Sequence, residues 1–177
     1  IFLGFCLGAA LGSFANAAAM RTVAEKKWWG RERSVCDSCG RVLSSCDLIP
    51  VISFVVLQGR CRSCRAPIPL RHFTAELSCG ALAALFTWRF GLTPALAFAG
   101  ASLPFLAFNT LTDLETGYIY DSWAVAMAVC GMLLRAAHGW PGLLDGLFGA
   151  LAGFGVIGAI IVASRGRMGL GDAVLML

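Results

Sequence analysis

Apolar residues fall in long blocks along this chain, interrupted once by a stretch too polar to cross a membrane. Residues 1–20 are almost wholly apolar and rich in Gly and Ala, which predicts a first membrane helix able to pack closely on its neighbours. Residues 21–72 are the polar stretch. Apolar blocks resume at 73–91, 94–112, 122–138 and 142–164 and predict four further spans, with Pro94 opening one of them and Trp88 and Arg89 marking an interface. Residues 173–177 begin a sixth. No internal repeat and no low-complexity tract is expected. The fold class that follows is an all-α polytopic membrane protein of about five to six transmembrane helices, with a small cytoplasmic insert between the first and second. The chain divides into a first transmembrane helix (1–20), the insert (21–72) and a transmembrane helical core (73–177).

Composition supports that class. The chain is 58% hydrophobic and 14% charged, with mean hydropathy +0.77, which excludes an ordinary soluble domain. Residues 1–20 do not read as a cleavable signal, because the basic residues Arg21, Lys26 and Lys27 follow the block rather than precede it. The sequence opens on Ile1 rather than Met, so a missing N-terminus is expected, and its sixth apolar block breaks off after five residues, as in a chain truncated at its C-terminus.

Charge then sets orientation. Residues 21–72 carry ten of the fourteen Lys and Arg against four acids, a net +6. Membrane orientation alone produces such a bias, so the insert is placed in the cytoplasm, with contact to anionic lipid headgroups and without a nucleic-acid surface. Counting crossings from there delivers both Asp113 and Asp172 to the cytoplasmic side. Arg165 and Arg167 agree with that end.

Two features carry candidate chemistry. Cys36-x-x-Cys39 and Cys61-x-x-Cys64 are knuckles separated by 21 residues, the spacing of a closed tetrahedral zinc site. An insert this small lacks a sufficient apolar core, so a structural metal would supply folding energy. Four cysteines leave no open position for catalytic zinc. Cys6, Cys46, Cys79 and Cys130 read as small apolar fillers. The second feature is the pair of acids at the edges of apolar blocks, Asp113 and Asp172. Two carboxyls that meet can share one proton, so that one acts as base and the other as acid. Asp172 closes Gly169-Leu170-Gly171-Asp172, whose glycines would allow close backbone approach to a substrate strand. A helix-capping role stays open for Asp172, as it does for Asp113 or Asp121 at the fourth long helix. Glu76 reads as snorkelling or pairing with Arg71 or His72. His72, His138, Trp28, Trp29 and Trp140 read as interfacial, and Asp145 has no evident partner.

Together these residues resemble the type IV prepilin peptidases, along nearly the whole chain. Leu11-Gly12-Ser13-Phe14-Ala15-Asn16 followed by Arg21 is similar to that family's first-helix signature. Asp47-Leu48-Ile49-Pro50-Val51-Ile52-Ser53 and Gly59-Arg60-Cys61-Arg62-Ser63-Cys64 match its most recognisable block, and Glu76 and Gly169-Leu170-Gly171-Asp172 occupy its Glu and GxGD positions. The chain departs from the pattern at Tyr120, where the family usually has Pro, and at Ala173-Val174, where a polar residue is usual. The resemblance implies a membrane aspartic endopeptidase of the bacterial inner membrane, with Asp113 and Asp172 as catalytic pair. It would cut the leaders of type IV prepilins or pseudopilins at the cytoplasmic face. It also implies N-methylation of the new N-terminus from S-adenosylmethionine, with Gly59 and Glu76 in the blocks tied to that activity. A non-catalytic zinc-bearing scaffold or an inactive fragment of the family is the competing expectation. A small transporter fits less well, because no inverted repeat is present.

Overall fold

A computed structural model of the chain describes residues 1–27, 33–137, 139–163 and 174. Among these the regular structure is helical, apart from two isolated antiparallel bridges, Val35 to Val42 and Arg60 to Pro67. The elements are α1 (Phe2–Val23), a 3₁₀ turn (Ser45–Leu48), α2 (Ile52–Val56), α3 (Leu70–Phe90), α4 (Pro94–Thr116), α5 (Asp121–Ala136) and α6 (Gly139–Ala163). The long helices fall on the expected apolar blocks. By length and composition α1, α4 and α6 suffice to cross a membrane. Helix α3 carries Arg71, His72, Glu76 and Arg89, and α5 has 16 residues. Gly169, Gly171 and Asp172 lie outside the described residues, as do Trp28, Trp29, His138, Arg165 and Arg167; of the sixth apolar segment only Val174 is described.

The chain forms two compact units, Ile1–Leu92 and Thr93–Leu177. In the first, α1 packs on α3 through glycines at every fourth position. A Cβ on Gly12 would lie 2.6 Å from the Ala75 carbonyl oxygen, one on Gly8 would strike Ala83 and the Cys79 carbonyl, and one on Gly4 would strike Thr87. Lipid tails are as apolar as leucine, so such a pair is held by close backbone approach and polar contacts rather than by hydrophobic exclusion. Ala9, Ala15, Ala18 and Ala19 complete the buried stripe of α1.

In the second unit, Pro94 occupies the first turn of α4, where its missing N–H costs nothing. The helix does not stop at 112. It runs on to Thr116 and ends at Gly117, which has φ 67° and donates its N–H to the Asp113 carbonyl at 2.7 Å. Asp113 is therefore in the last turn of α4 and does not cap the next helix. Tyr120 takes the cap position of α5, Asp121 follows it, and neither contributes a side-chain cap. Phe108 is fully buried, stacked on Trp123 at 3.9 Å and edge-on to Tyr120 at 5.9 Å. Asp145 has a partner after all: Arg135 reaches it across α5 and α6 at 3.9 Å, with both side chains exposed.

Candidate functional site

The insert is built as two copies of one turn. In the first, the Cys36 N–H donates to Arg41 O at 2.9 Å and Gly40 N–H to Cys36 O at 2.8 Å. In the second, Cys61 N–H donates to Ala66 O at 2.8 Å and Arg65 N–H to Cys61 O at 3.1 Å. Gly40 and Arg65 hold the same place, with φ 69° and 60°. A short repeat is thus present that the sequence reading did not anticipate. It is carried by backbone bonds, while the side chains match at little more than the cysteines and Ser38 with Ser63.

The turns face one another and bring Cys36, Cys39, Cys61 and Cys64 together, with all sulfur atoms within 4.8 Å of each other. Cys36 Sγ and Cys64 Sγ are 3.9 Å apart. A tetrahedral ion with metal–sulfur bonds of about 2.3 Å needs sulfur–sulfur edges of about 3.8 Å, so the cluster could hold a metal ion. Its electrostatics fit a cation. The Cys64 and Ser63 N–H groups draw the Cys61 thiol down to about 6. The Ala66 N–H acts the same way on Cys64, but partial desolvation of the sulfur and the neighbouring thiols outweigh it and push that thiol up to about 11. Four adjacent thiols resist ionising together unless a cation binds among them.

Asp47 staples the two turns. Its carboxylate accepts from Arg62 Nε at 2.8 Å, Arg41 Nη2 at 3.4 Å, and the Ser44 hydroxyl and N–H at 2.8 and 3.1 Å. Arg62 and then Ser44 hold its carboxyl down at about 2. Arg41 also donates to Ser63 at 2.7 Å.

Below the insert, two polar rungs join α1 to α3. Ser13 donates to Glu76 Oε1 at 2.7 Å, and Asn16 Nδ2 lies 2.7 Å from His72 Nδ1. Glu76 takes its hydrogen bonds from neutral donors and not from Arg71 or His72: its second oxygen accepts the Val51 N–H at 2.7 Å. Val51 has φ 63°, a strained conformation for a β-branched residue, and Glu76 holds it there. Gly59, at φ 65°, lies under Phe54, where a Cβ would come within 2.9 Å of the ring. Phe54 stacks on Phe73 of α3 at 4.8 Å. A cavity of about 340 Å³ opens between insert and helices, lined among others by Asn16, Phe54, His72 and Glu76. The rungs were legible in principle. Ser13 with Asn16, and His72 with Glu76, are polar pairs one turn apart in apolar helices.

In the second unit Asp113 is exposed on the last turn of α4. Asn109, one turn earlier and 1% exposed, accepts the Tyr120 N–H at 3.0 Å on its Oδ1 and donates to Phe105 O at 3.3 Å. It ties the α4–α5 connection back onto the turn that carries Asp113. The cavity of about 440 Å³ in this unit is lined by α4, α5 and α6 residues such as Phe98, Met127 and Gly149, and not by Asp113.

Residues 6–90 match the model of the bacterial peptidase A24 N-terminal domain, and residues 100–177 that of the type IV leader peptidase family. A prepilin leader peptidase/N-methyltransferase of Bacillus subtilis (strain 168) is 30% identical over 171 residues, covering 95% of this chain and 67% of the relative. The chain belongs to the type IV leader peptidase family. Relatives of the same name are 37% identical over 123 residues in Burkholderia pseudomallei (strain 1026b), covering 69% of this chain and 40% of theirs, and 37% identical over 158 residues in Myxococcus xanthus (strain DK1622), covering 87% and 45%. The chain thus spans less than half the length of these two. No solved structure matches it. The two matched segments of this leader peptidase family member follow its two compact units. Family membership, helices of spanning length and a metal-competent insert together make it a polytopic integral membrane protein.

Proposed function

We propose that the chain acts as a membrane aspartic endopeptidase that removes the leader of type IV prepilins or pseudopilins at the cytoplasmic face of the bacterial inner membrane. The observation that carries this reading is the family match of residues 100–177, whose segment includes both Asp113 and Asp172. One ionised aspartate takes a proton from water as it attacks the scissile carbonyl. The protonated partner polarises the carbonyl oxygen and then gives its proton to the leaving amine. An exposed Asp113 on the final turn of α4 is consistent with access of water. Gly169 and Gly171 would let a substrate strand approach Asp172.

The reading extends to zinc at Cys36, Cys39, Cys61 and Cys64 as a structural ion, and to N-methylation of the new N-terminus, the second activity in the relatives' name. S-adenosylmethionine would supply a methyl group on a sulfonium. The cavity of about 340 Å³ is of suitable size, and Asn16 in its wall has a buried polar atom without a partner. Glu76 lines this cavity, while Gly59 supports its wall through Phe54. The domain division at 1–20, 21–72 and 73–177 belongs to the same proposal.

Cleavage of a model prepilin in detergent tests the catalytic pair. The parent is expected to cut, and Asp113→Asn and Asp172→Asn each to cut slower by at least about 10²–10⁴-fold. Undiminished cleavage by either variant overturns the pair. Failure of the parent together with retained substrate binding would favour the scaffold.

A further inference from the structure

Asn16 is the polar residue of the first unit that the fold explains least. It is 2% exposed, and its Oδ1 has no hydrogen-bond partner although its Nδ2 lies against His72. A buried acceptor without a donor is costly and rare. Asn16 also stands in the wall of the cavity beneath the insert.

The surroundings indicate the kind of donor that would complete it. Glu76 shares that wall, one rung away across α1 and α3. Both hydrogen bonds to its carboxylate come from neutral donors, the Ser13 hydroxyl and the Val51 N–H, and neither brings a cationic partner. A cationic donor at Asn16 would gain from the neighbouring carboxylate, and a neutral one would gain less. The acid of the insert wall, Asp47, is already engaged by Arg41 and Arg62. Half-buried Arg21 and exposed Lys26, Arg33 and Asp37 also line the cavity and leave its outer part mixed in charge with a basic excess.

We propose that this cavity binds its ligand through a primary ammonium group seated on Asn16 Oδ1 beside Glu76. The inference rests on the methyl-transfer reading above and deepens it. Two participants in that reaction carry such a group: the amino-acid end of the sulfonium donor, and the new α-amine of the processed substrate.

Calorimetry on the full, metal-loaded chain in detergent distinguishes them. The probes are S-adenosylhomocysteine against 5′-methylthioadenosine, which lacks the amino-acid end, and a short peptide with a free N-terminal amine against its N-acetylated form. One ammonium-bearing probe is expected to bind at least about tenfold tighter than its counterpart, the scale of one charge-assisted hydrogen bond. Asn16→Ala abolishes that preference. Asn16→Asp, whose ionised side chain offers only acceptors, keeps it. Preference in the first probe pair assigns the site to the methyl donor, and in the second to the processed chain. Equal metal content in parent and variants shows that the insert has folded. If Asn16→Ala keeps the parent's preference, or the parent binds without one, Asn16 holds no more than a buried water and the proposal is overturned. A parent that binds no probe and transfers no methyl group overturns the methyl-transfer reading itself, whereas one that methylates with an unchanged Asn16→Ala variant overturns this inference alone.

Discussion

The four-cysteine insert and the α4–α5 corner each hold irregular backbone in a fixed shape, and they do so by opposite means. The insert has almost no apolar interior: among its described residues only Cys61 is buried. Its shape comes from thiols, the Asp47 staple and paired backbone turns. The corner is held by Phe108 between Trp123 and Tyr120, and by one buried amide, Asn109, that satisfies the Tyr120 N–H. The difference reflects surroundings. A small segment in water has too little apolar surface to bury and needs a metal and charges. A turn between two long apolar helices has aromatic surface enough to stack, and one buried amide completes its backbone bond.

Metal removal breaks the comparison most strongly. Chelation, or Cys36→Ser, is expected to unfold the insert and leave α4–α6 intact, because about 10 kcal/mol of metal binding is also folding energy in such modules. Trypsin should then cut at Arg60, Arg62 and Arg65 while the second unit resists. An insert that stays resistant without metal would show that Asp47 and the turns suffice.

The corner should respond to a single amide. Asn109→Ala leaves the Tyr120 N–H without its acceptor, at a cost of about 1–3 kcal/mol. Asn109→Asp keeps an acceptor and should lose less. Thermal unfolding in detergent, with metal present throughout, reads both. A shift from Asn109→Ala no larger than from Asn109→Asp would mean that the aromatic stack alone holds the corner.

How much of this was legible follows the same divide. Apolar blocks gave the helices because burial in lipid demands long uninterrupted runs, and the cysteine spacing gave the metal site because ligand geometry fixes it. The end of α4 was misplaced because Asp113 looked like a terminus, whereas Gly117 with its positive φ is the residue that stops the helix. Glu76 was read as snorkelling or pairing with Arg71 or His72, because its hydrogen-bond partners, Ser13 and the Val51 N–H, lie 63 and 25 residues away and one of them is backbone. Asp172 lies outside the described residues, so its pairing with Asp113 stands on the sequence.

The Asp47 staple predicts a pH window. Its carboxyl lies at about 2 instead of the ordinary 3.8, so it stabilises the insert above about pH 4 and loses that contribution as pH falls toward 2. Asp47→Asn should lower insert stability at pH 7 by roughly 1–2 kcal/mol, the shift discounted because Arg41 and Arg62 are partly exposed. The difference between parent and variant, taken at each pH so that proton competition for the four thiols cancels, should shrink between pH 4 and 2. A constant difference would mean that Asp47 acts by shape and not by charge.

The smallest effect concerns the repeat of the two turns. Arg65 occupies with φ 60° the place that Gly40 fills in the other turn. A non-glycine residue there costs about 1–2 kcal/mol, and glycine gives back about 0.5–1 kcal/mol through its freer unfolded chain. Arg65→Gly should therefore tighten metal binding slightly, by about 0.5–1 kcal/mol, in a competition titration against a chelator. Gly40→Ala should weaken it, although a Cβ at Gly40 meets nothing within 4 Å, so the whole loss would be backbone strain. Opposite signs at equivalent positions would confirm that the turns are one structure used twice. Equal signs would mean that the Arg65 side chain contributes a contact of its own, and that the insert depends on its charges even where its backbone repeats.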